Sequence, residues 1–504
     1  MAAVALLSCL LLSACSTDDA PEPSRSPPES SHDRQLSQNE IDQLQPQVKA
    51  FCGDCHAYPE PETFSSDVWR KEVRNGFGFY LESGRTDLSP PPMERVIQYY
   101  TQLAPDKLAL PDPKPIRDSD KTEWKETIIP FENNGTGSMI SSLEKFERAG
   151  NWKIAATDMN GGAIVILSLA EGTPKQKVIA SCEHPAKATP CDLDEDGHLD
   201  FLVAELGTAD PADHQLGKVL WLRGNEAGDY SVHELLNNVG RVADVRIGDF
   251  NGDHLNDILV AEFGWRKTGS IHLMLRKQTE PDLWSFEDRI IDRRHGTIHL
   301  PPVDWNGDGL LDFVALISQE HEVIDLFLNR GEGTFTPQRL YTAPEPAFGS
   351  SGIELVDFDG DGDLDVLYTN GDTMDSFHLK PTHGVRWLEN TGQPALTPHL
   401  IGHLPGCYRA LAVDLDNDGD TDVVATAHFP RDIKNLKRER ERLIWYEQIE
   451  GEFQQHTLAF GEKNQGHFTL AVEDFTGDGK LDLVIGDYGA DSRRKGLALW
   501  QQTH

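Results

Sequence analysis

A short acidic pattern recurs six times between Asp192 and Asp482: oxygen-bearing side chains at positions 1, 3, 5 and 9, with a tight turn at position 6. Its clearest copy carries Asp357, Asp359, Asp361 and Asp365 around Gly362. Carboxylates crowded into one turn suit a hard cation that takes six to eight oxygens, so the expected chemistry is calcium coordination. The same register holds Asp192, Asp194, Asp196 and Asp200; Asp249, Asn251, Asp253 and Asp257; Asp304, Asn306, Asp308 and Asp312; Asp414, Asp416, Asp418 and Asp422; and Asp474, Thr476, Asp478 and Asp482. Glycine at position 6 gives way to His254 in the second copy. Each calcium is expected to be structural, because each loop lies within one repeat and replaces the packing a polar turn cannot supply.

A second constellation lies near the N-terminus. Cys52-Gly53-Asp54-Cys55-His56 is the spacing through which two thiols bond the vinyl groups of a c-type haem while the histidine ligates iron. The same thiols could instead form a disulfide or half of a zinc site, but no second CxxC is present to complete a tetrahedron. Met93, after three prolines, offers a thioether as the sixth iron ligand; packing at a helix start is the alternative.

Four strand-like runs accompany each loop, as in Gly352–Val356, Leu364–Tyr368, Val385–Glu389 and Thr397–Ile401. A period of roughly 55 residues marks one supersecondary unit repeated and stacked on its neighbours. These loops, with following runs such as Asp482-Leu-Val-Ile-Gly-Asp-Tyr-Gly489, resemble the VCBS/FG-GAP repeats, which include the propeller repeats of integrin α-subunits. The resemblance covers about residues 122 to 504 and implies a propeller with calcium-stapled blades. Gly137–Phe146 and Trp152–Asp158 fit the frame without its acids, which raises the expected blade count to seven. Leu497–Trp500 ends the chain without a fourth strand, and Trp124–Ile129 has no blade of its own; pairing the two would close the ring.

Ahead of the repeats, Leu12-Ser13-Ala14-Cys15 ends an apolar run too short to span a bilayer and resembles a bacterial lipobox, with Cys15 as the lipidated residue. The expected organisation is a lipoprotein signal at 1–15, a disordered Ser/Pro-rich linker at 16–40, a helical segment at 41–104 similar to a short cytochrome c domain, a Pro-rich linker at 105–121, and the propeller at 122–504. Helices are expected around Asp67–Val73 and Met93–Leu103. The fold class is therefore an all-β seven-bladed β-propeller with calcium loops, preceded by a small all-α cytochrome c-like domain.

A formal charge of −37 excludes nucleic acid, whose phosphates need a basic surface. Cys182 and Cys191 could form a disulfide, although Cys191 also fits a buried strand position. Loops joining second to third strands, and those between blades, must lie opposite the calcium loops. They carry His214, His378, Lys380, His383 and His428, and Arg241, His295, His299, Tyr408, Arg409 and His467, so that face is where a ligand or reaction is expected. No GxSxG, HExxH or P-loop pattern names a reaction. The function implied is an exported, lipid-anchored haem c protein, facing the periplasm or exterior, that acts as an electron-transfer and binding module. Its partner would be a redox protein or a small-molecule or carbohydrate ligand, with the membrane reached only through the lipid. Two alternatives stand beside it: a propeller oxidoreductase or carbohydrate-acting enzyme passing electrons to the haem, and a non-redox adhesion module.

Overall fold

The computed structural model describes residues 35–114, 124–131, 138–170, 173–280, 283–374, 376–463, 465–488 and 496–503. Cys15 and the apolar run before it lie outside these residues.

Three helices come first. α1 (Gln38–Cys52) opens on a capping box in which Ser37 and Glu40 exchange hydrogen bonds. It therefore begins inside the stretch expected to be a disordered linker, with Leu36 buried beneath it. α2 (Ser66–Glu82) extends well beyond the expected helix, and α3 spans Met93–Leu103 as expected. Their apolar faces meet in one small core built from Leu44, Val48, Val68, Trp69, Val96, Ile97 and Tyr100. Trp69 stacks on Tyr100 with ring centroids 4.0 Å apart.

The rest is antiparallel sheet. A lone strand, β1 (Trp124–Pro130), precedes a sheet of β2 (Ile140–Arg148), β3 (Asn151–Asp158), β4 (Ala163–Ser168) and β5 (Lys175–Ser181). The next sheets hold β6 (Pro185–Cys191), β7 (Asp200–Glu205), β8 (Gly217–Gly224) and β9 (Tyr230–Val239), then β10 (Val242–Gly248), β11 (Asp257–Glu262), β12 (Ser270–Glu280) and β13 (Leu283–Asp292). A five-stranded sheet follows with β14 (Thr297–His299), β15 (Pro302–Val303), β16 (Asp312–Ile317), β17 (Val323–Asn329) and β18 (Phe335–Thr342). After it come β19 (Ser350–Val356), β20 (Asp365–Asn370), β21 (Gly384–Glu389) and β22 (Thr397–His403). The last strands are β23 (Cys407–Val413), β24 (Asp422–Phe429), β25 (Arg440–Ile449), β26 (Glu452–Gly461), β27 (Gln465–Glu473), β28 (Asp482–Asp487) and β29 (Gly496–Gln502).

The expected seven separate blades are corrected here. Five sheets are single blades of four or five strands, and the remaining strands form one eight-stranded sheet in which β24 pairs with β27 through His428↔Gly466 and Phe429↔Gln465. The propeller architecture stands, but the blade expectation counted loop motifs, and hydrogen bonds between neighbouring repeats leave no trace in that count. The ring does close as the unpaired ends suggest: β1 pairs with β29 along its whole length, from Trp124↔Gln502 to Pro130↔Gly496. Residues 110–114, expected to be linker, lie against the eight-stranded sheet, with the Lys114 amide donating to Glu441 at 2.7 Å and Leu110 packed on its core.

A buried charge network fixes the sheet of β10–β13. His272 is almost fully buried, with Nδ1 3.0 Å from Asp288 and Nε2 3.2 Å from Glu262. Burial by itself would depress the imidazole, but the two carboxylates outweigh it and hold the group up to about 9. A folded value above the unfolded one gives stability that is full below about pH 6.5 and is lost as pH rises through about 9. His272→Gln should therefore lower the melting temperature strongly at pH 6, by at most about 3 kcal/mol of stability, and much less at pH 10. Equal losses at both pH values would show that His272 acts only through packing.

Candidate site between the helices and the loop-rich face

The acidic loops lead into β7, β11, β16, β20, β24 and β28 from the strand before each, so they share one face. The helices sit on the opposite face. Arg266 in the β11–β12 loop stacks 4.2 Å from the ring of Phe79, Lys380 lies 4.5 Å from the ring of Phe64, and Ala347 packs on the helical core. Between them lies a cavity of about 840 Å³. One wall is Phe51, Cys52, Cys55, His56, Phe64, Trp69, Phe77, Tyr80 and Tyr100; the other is Trp265, Arg266, Glu320, Glu322, Ala347, Ser350, Asp372 and Lys380.

All three residues of the Cys-Cys-His pattern reach this cavity. Burial pushes the Cys52 thiol up to about 11, and Arg85 Nη1 lies 3.0 Å from the Cys55 sulfur. His56 Nδ1 lies 2.8 Å from the Ala57 carbonyl oxygen, which fixes the proton on Nδ1 and leaves Nε2 as the free donor atom for a metal. Two thiols, a histidine with a free Nε2 and a wall of aromatic rings fit a covalently held haem, and the volume falls within the roughly 300–1,000 Å³ of cofactor sites. Met93 packs against the same helical core as Cys52 and is not among the residues that line this cavity.

Beside the expected Lys380, the propeller wall carries two acidic groups that the sequence did not single out, Glu322 and Asp372. Burial raises Glu322 to about 7 although Ser350 and the amide of Gly349 donate to it. Lys380 is depressed by burial and donates to Glu345 and to the carbonyl of Ala347, while Asp372, raised by burial, accepts from the Tyr408 hydroxyl. Of the basic and aromatic residues expected on this face, Lys380 alone lines the cavity. His428 lies in an aromatic cluster with Tyr408, Phe468 and Tyr488, where burial depresses it to about 3. His467 faces Asp487 at 3.0 Å, His299 is half-buried 4.0 Å from Asp244, and His214 meets Thr208 at 2.7 Å. His378 and His383 are buried in their own loop, Arg409 donates to the Ile353 carbonyl, and Arg241 lies over Phe263. Cys182, Cys191 and Cys407 are free thiols, so the possible Cys182–Cys191 disulfide is not formed.

On the other face, acidic side chains of three loops lie close enough together to hold a cation: positions 1, 3 and 5 in Asp357, Asp359 and Asp361 and in Asp414, Asp416 and Asp418, and positions 1, 3 and 9 in Asp192, Asp194 and Asp200. Asp194 is buried with Oδ1 free of any hydrogen bond, an acceptor that a calcium ion would satisfy. The turn at position 6 has a left-handed backbone, as in Gly362 (φ 97°) and Gly419 (φ 98°); His254 (φ 66°) adopts it with a side chain. In the loops with Asn251 and Asn306, the amide oxygen accepts from the backbone of Asp253 or Asp308, and Thr476 donates to Asp482. Position 9 has a further role. Asp200 accepts from Leu193 N, Gly224 N and Trp221 Nε1, Asp365 from Phe358 N, Asn390 N and Trp387 Nε1, and Asp422 from Leu415 N, Gln448 N and Trp445 Nε1. These buried carboxylates pin the loop to the third strand. Asp257 and Asp312 do the same through backbone amides.

Sheets arranged as blades and acidic loops at fixed places make this a β-propeller with FG-GAP-like repeats. The FG-GAP-like repeat family matches residues 192–260 and 304–368. Among curated proteins, the chain is similar to cartilage acidic protein 1 of Homo sapiens, 27% identical over 169 residues, and to that of Xenopus tropicalis, 29% identical over 172. The matched region is 32% of this chain and 24% of each relative.

Proposed function

We propose that this chain is an exported, lipid-anchored haem c protein whose calcium-stapled propeller serves as a binding platform beneath an electron-carrying helical unit. FG-GAP-like repeats on a propeller make a binding or interaction module. The observation that carries the finer reading is the cavity joining Cys52, Cys55 and His56 to the loop-rich face. A haem held there would supply one-electron transfer. The chain's own part is to attach it through two thiols, ligate it with His56, shield it with Phe51, Trp69, Phe77 and Tyr100, and set a redox partner or small ligand against it.

The buried Glu322 and Lys380 on the facing wall favour a second reading, in which a small polar substrate is bound and oxidised beside the haem. Expression with cytochrome c maturation machinery should give a product that keeps haem absorbance through denaturing electrophoresis. Cys52→Ser or Cys55→Ser should weaken attachment, and His56→Ala should alter the reduced spectrum while leaving the covalent bonds. A product without haem under these conditions rules the reading out.

A further inference from the structure

Beside the cavity, three metal-ligand side chains converge that the haem and calcium readings do not use. His295 lies between β13 and β14, and Glu320 and His321 in the short loop between β16 and β17. One ligand atom from each lies within 4.8 Å of the other two. His295 Nε2 is 2.8 Å from Glu320 Oε1, and the two imidazole centroids are 5.1 Å apart. His321 Nε2 is buried and has no hydrogen-bond partner.

The backbone holds these groups in place. Ser318 donates from both its amide and its hydroxyl to the Gly296 carbonyl, at 2.8 and 3.0 Å, tying the two segments together. A Cβ on Gly269 would lie 2.4 Å from that of His295, so the two backbone segments approach closely at this residue. Gln319 (φ 56°) and Glu322 (φ 46°) both take the left-handed conformation, bracketing Glu320 and His321 in a geometry that costs about 1 kcal/mol or more per residue. Arg294, next in the chain, is occupied by Asp292 and Asp325 at 2.7 and 2.8 Å.

We propose that His295, Glu320 and His321 form a binding site for one divalent transition-metal ion of the zinc type. Two imidazoles and one carboxylate are a borderline donor set, better matched to zinc than to calcium, and three protein ligands leave a fourth position open. Tetrahedral zinc places its ligand atoms roughly 3.3 Å apart, so side-chain rotation closes the observed spacing while the His295–Glu320 hydrogen bond gives way to metal bonds. Glu320 also lines the cavity, so the open position lies at its edge, where it takes a water or an anionic oxygen of a bound ligand.

The test does not depend on haem. Full-length protein, saturated with calcium so that the acidic loops are filled and with any free Cys52 and Cys55 thiols alkylated, is titrated with zinc by calorimetry and its bound metal counted by elemental analysis. One zinc per chain is expected at micromolar affinity or better. His295→Ala, His321→Asn and Glu320→Gln should each weaken it by more than ~100-fold, since loss of even an outer-shell partner costs about 10–100-fold. Melting curves in calcium confirm that each variant is folded, and the conservative His321→Asn and Glu320→Gln changes serve if His295→Ala is not. No zinc uptake by the wild-type chain, or wild-type affinity in any folded variant, overturns the proposal.

Discussion

A chain lacking residues 1–130 should fail to form a stable propeller, whereas one lacking residues 1–118 should still melt cooperatively. Both lose the three helices and the contacts of residues 110–114, so their difference isolates β1. That strand supplies pairing partners for all seven residues of β29 and buries side chains at both ends: Trp124 joins the core shared with Leu443 and Trp500, and Ile129 the core shared with Ile140 and Leu497. Each such side chain contributes roughly 1.5–3 kcal/mol by leaving water, before counting the β29 edge left without hydrogen-bond partners. Against a net stability of about 5–15 kcal/mol, losing both side chains and the closing strand removes most of the margin. Trp124→Ala in the intact chain should cost about 3–5 kcal/mol by the same burial. Thermal melts followed by circular dichroism, with size-exclusion profiles, decide the matter. Equal melting of the two truncations would mean that the ring is held by its other contacts.

Much of the strand pattern was legible in the residues. The expected runs Gly352–Val356, Val385–Glu389 and Thr397–Ile401 lie inside β19, β21 and β22, because apolar residues bounded by acidic turns and glycines specify strand ends locally. Blade count was not legible. The pairing that merges the final strands uses backbone groups alone and depends on Gly466, where a Cβ would meet His428 Nδ1 at 2.5 Å. A glycine in a strand marks close approach without saying to what. The double role of the ninth loop position did leave a signal: Trp221, Trp387 and Trp445 each follow the position-9 aspartate at nearly constant spacing, and each donates its indole N–H back to it. Conversely, His321 leaves no such signal, because Ser318–Glu322 is a short loop between β16 and β17 with no repeating pattern of its own. The cavity itself lies beyond any local pattern, since it brings Cys52 and Glu322 together across the helix–propeller boundary.

Removing calcium should lower the melting temperature sharply. In the three loops with four carboxylates, repulsion opposes folding unless a cation is bound, and the free Oδ1 of Asp194 has no other means of satisfaction among the described residues. An ion at about 100 times its dissociation constant stabilises each site by about 2.7 kcal/mol, so these three loops together supply about 8 kcal/mol. For a fold of this size that is a drop of roughly 10–20 °C on chelation. The framework role of position 9 turns the experiment into a test of each residue. Asp359→Asn removes a cation ligand whose protein contact is one exposed backbone amide, so it should lower the melting temperature in calcium and have little effect in chelator. Asp365→Asn disturbs a buried acceptor of Phe358 N, Asn390 N and Trp387 Nε1, so it should destabilise the chain in both conditions. A melting curve that chelator leaves unmoved would remove calcium from the account altogether, and the acidic loops would then be held by their backbone hydrogen bonds alone.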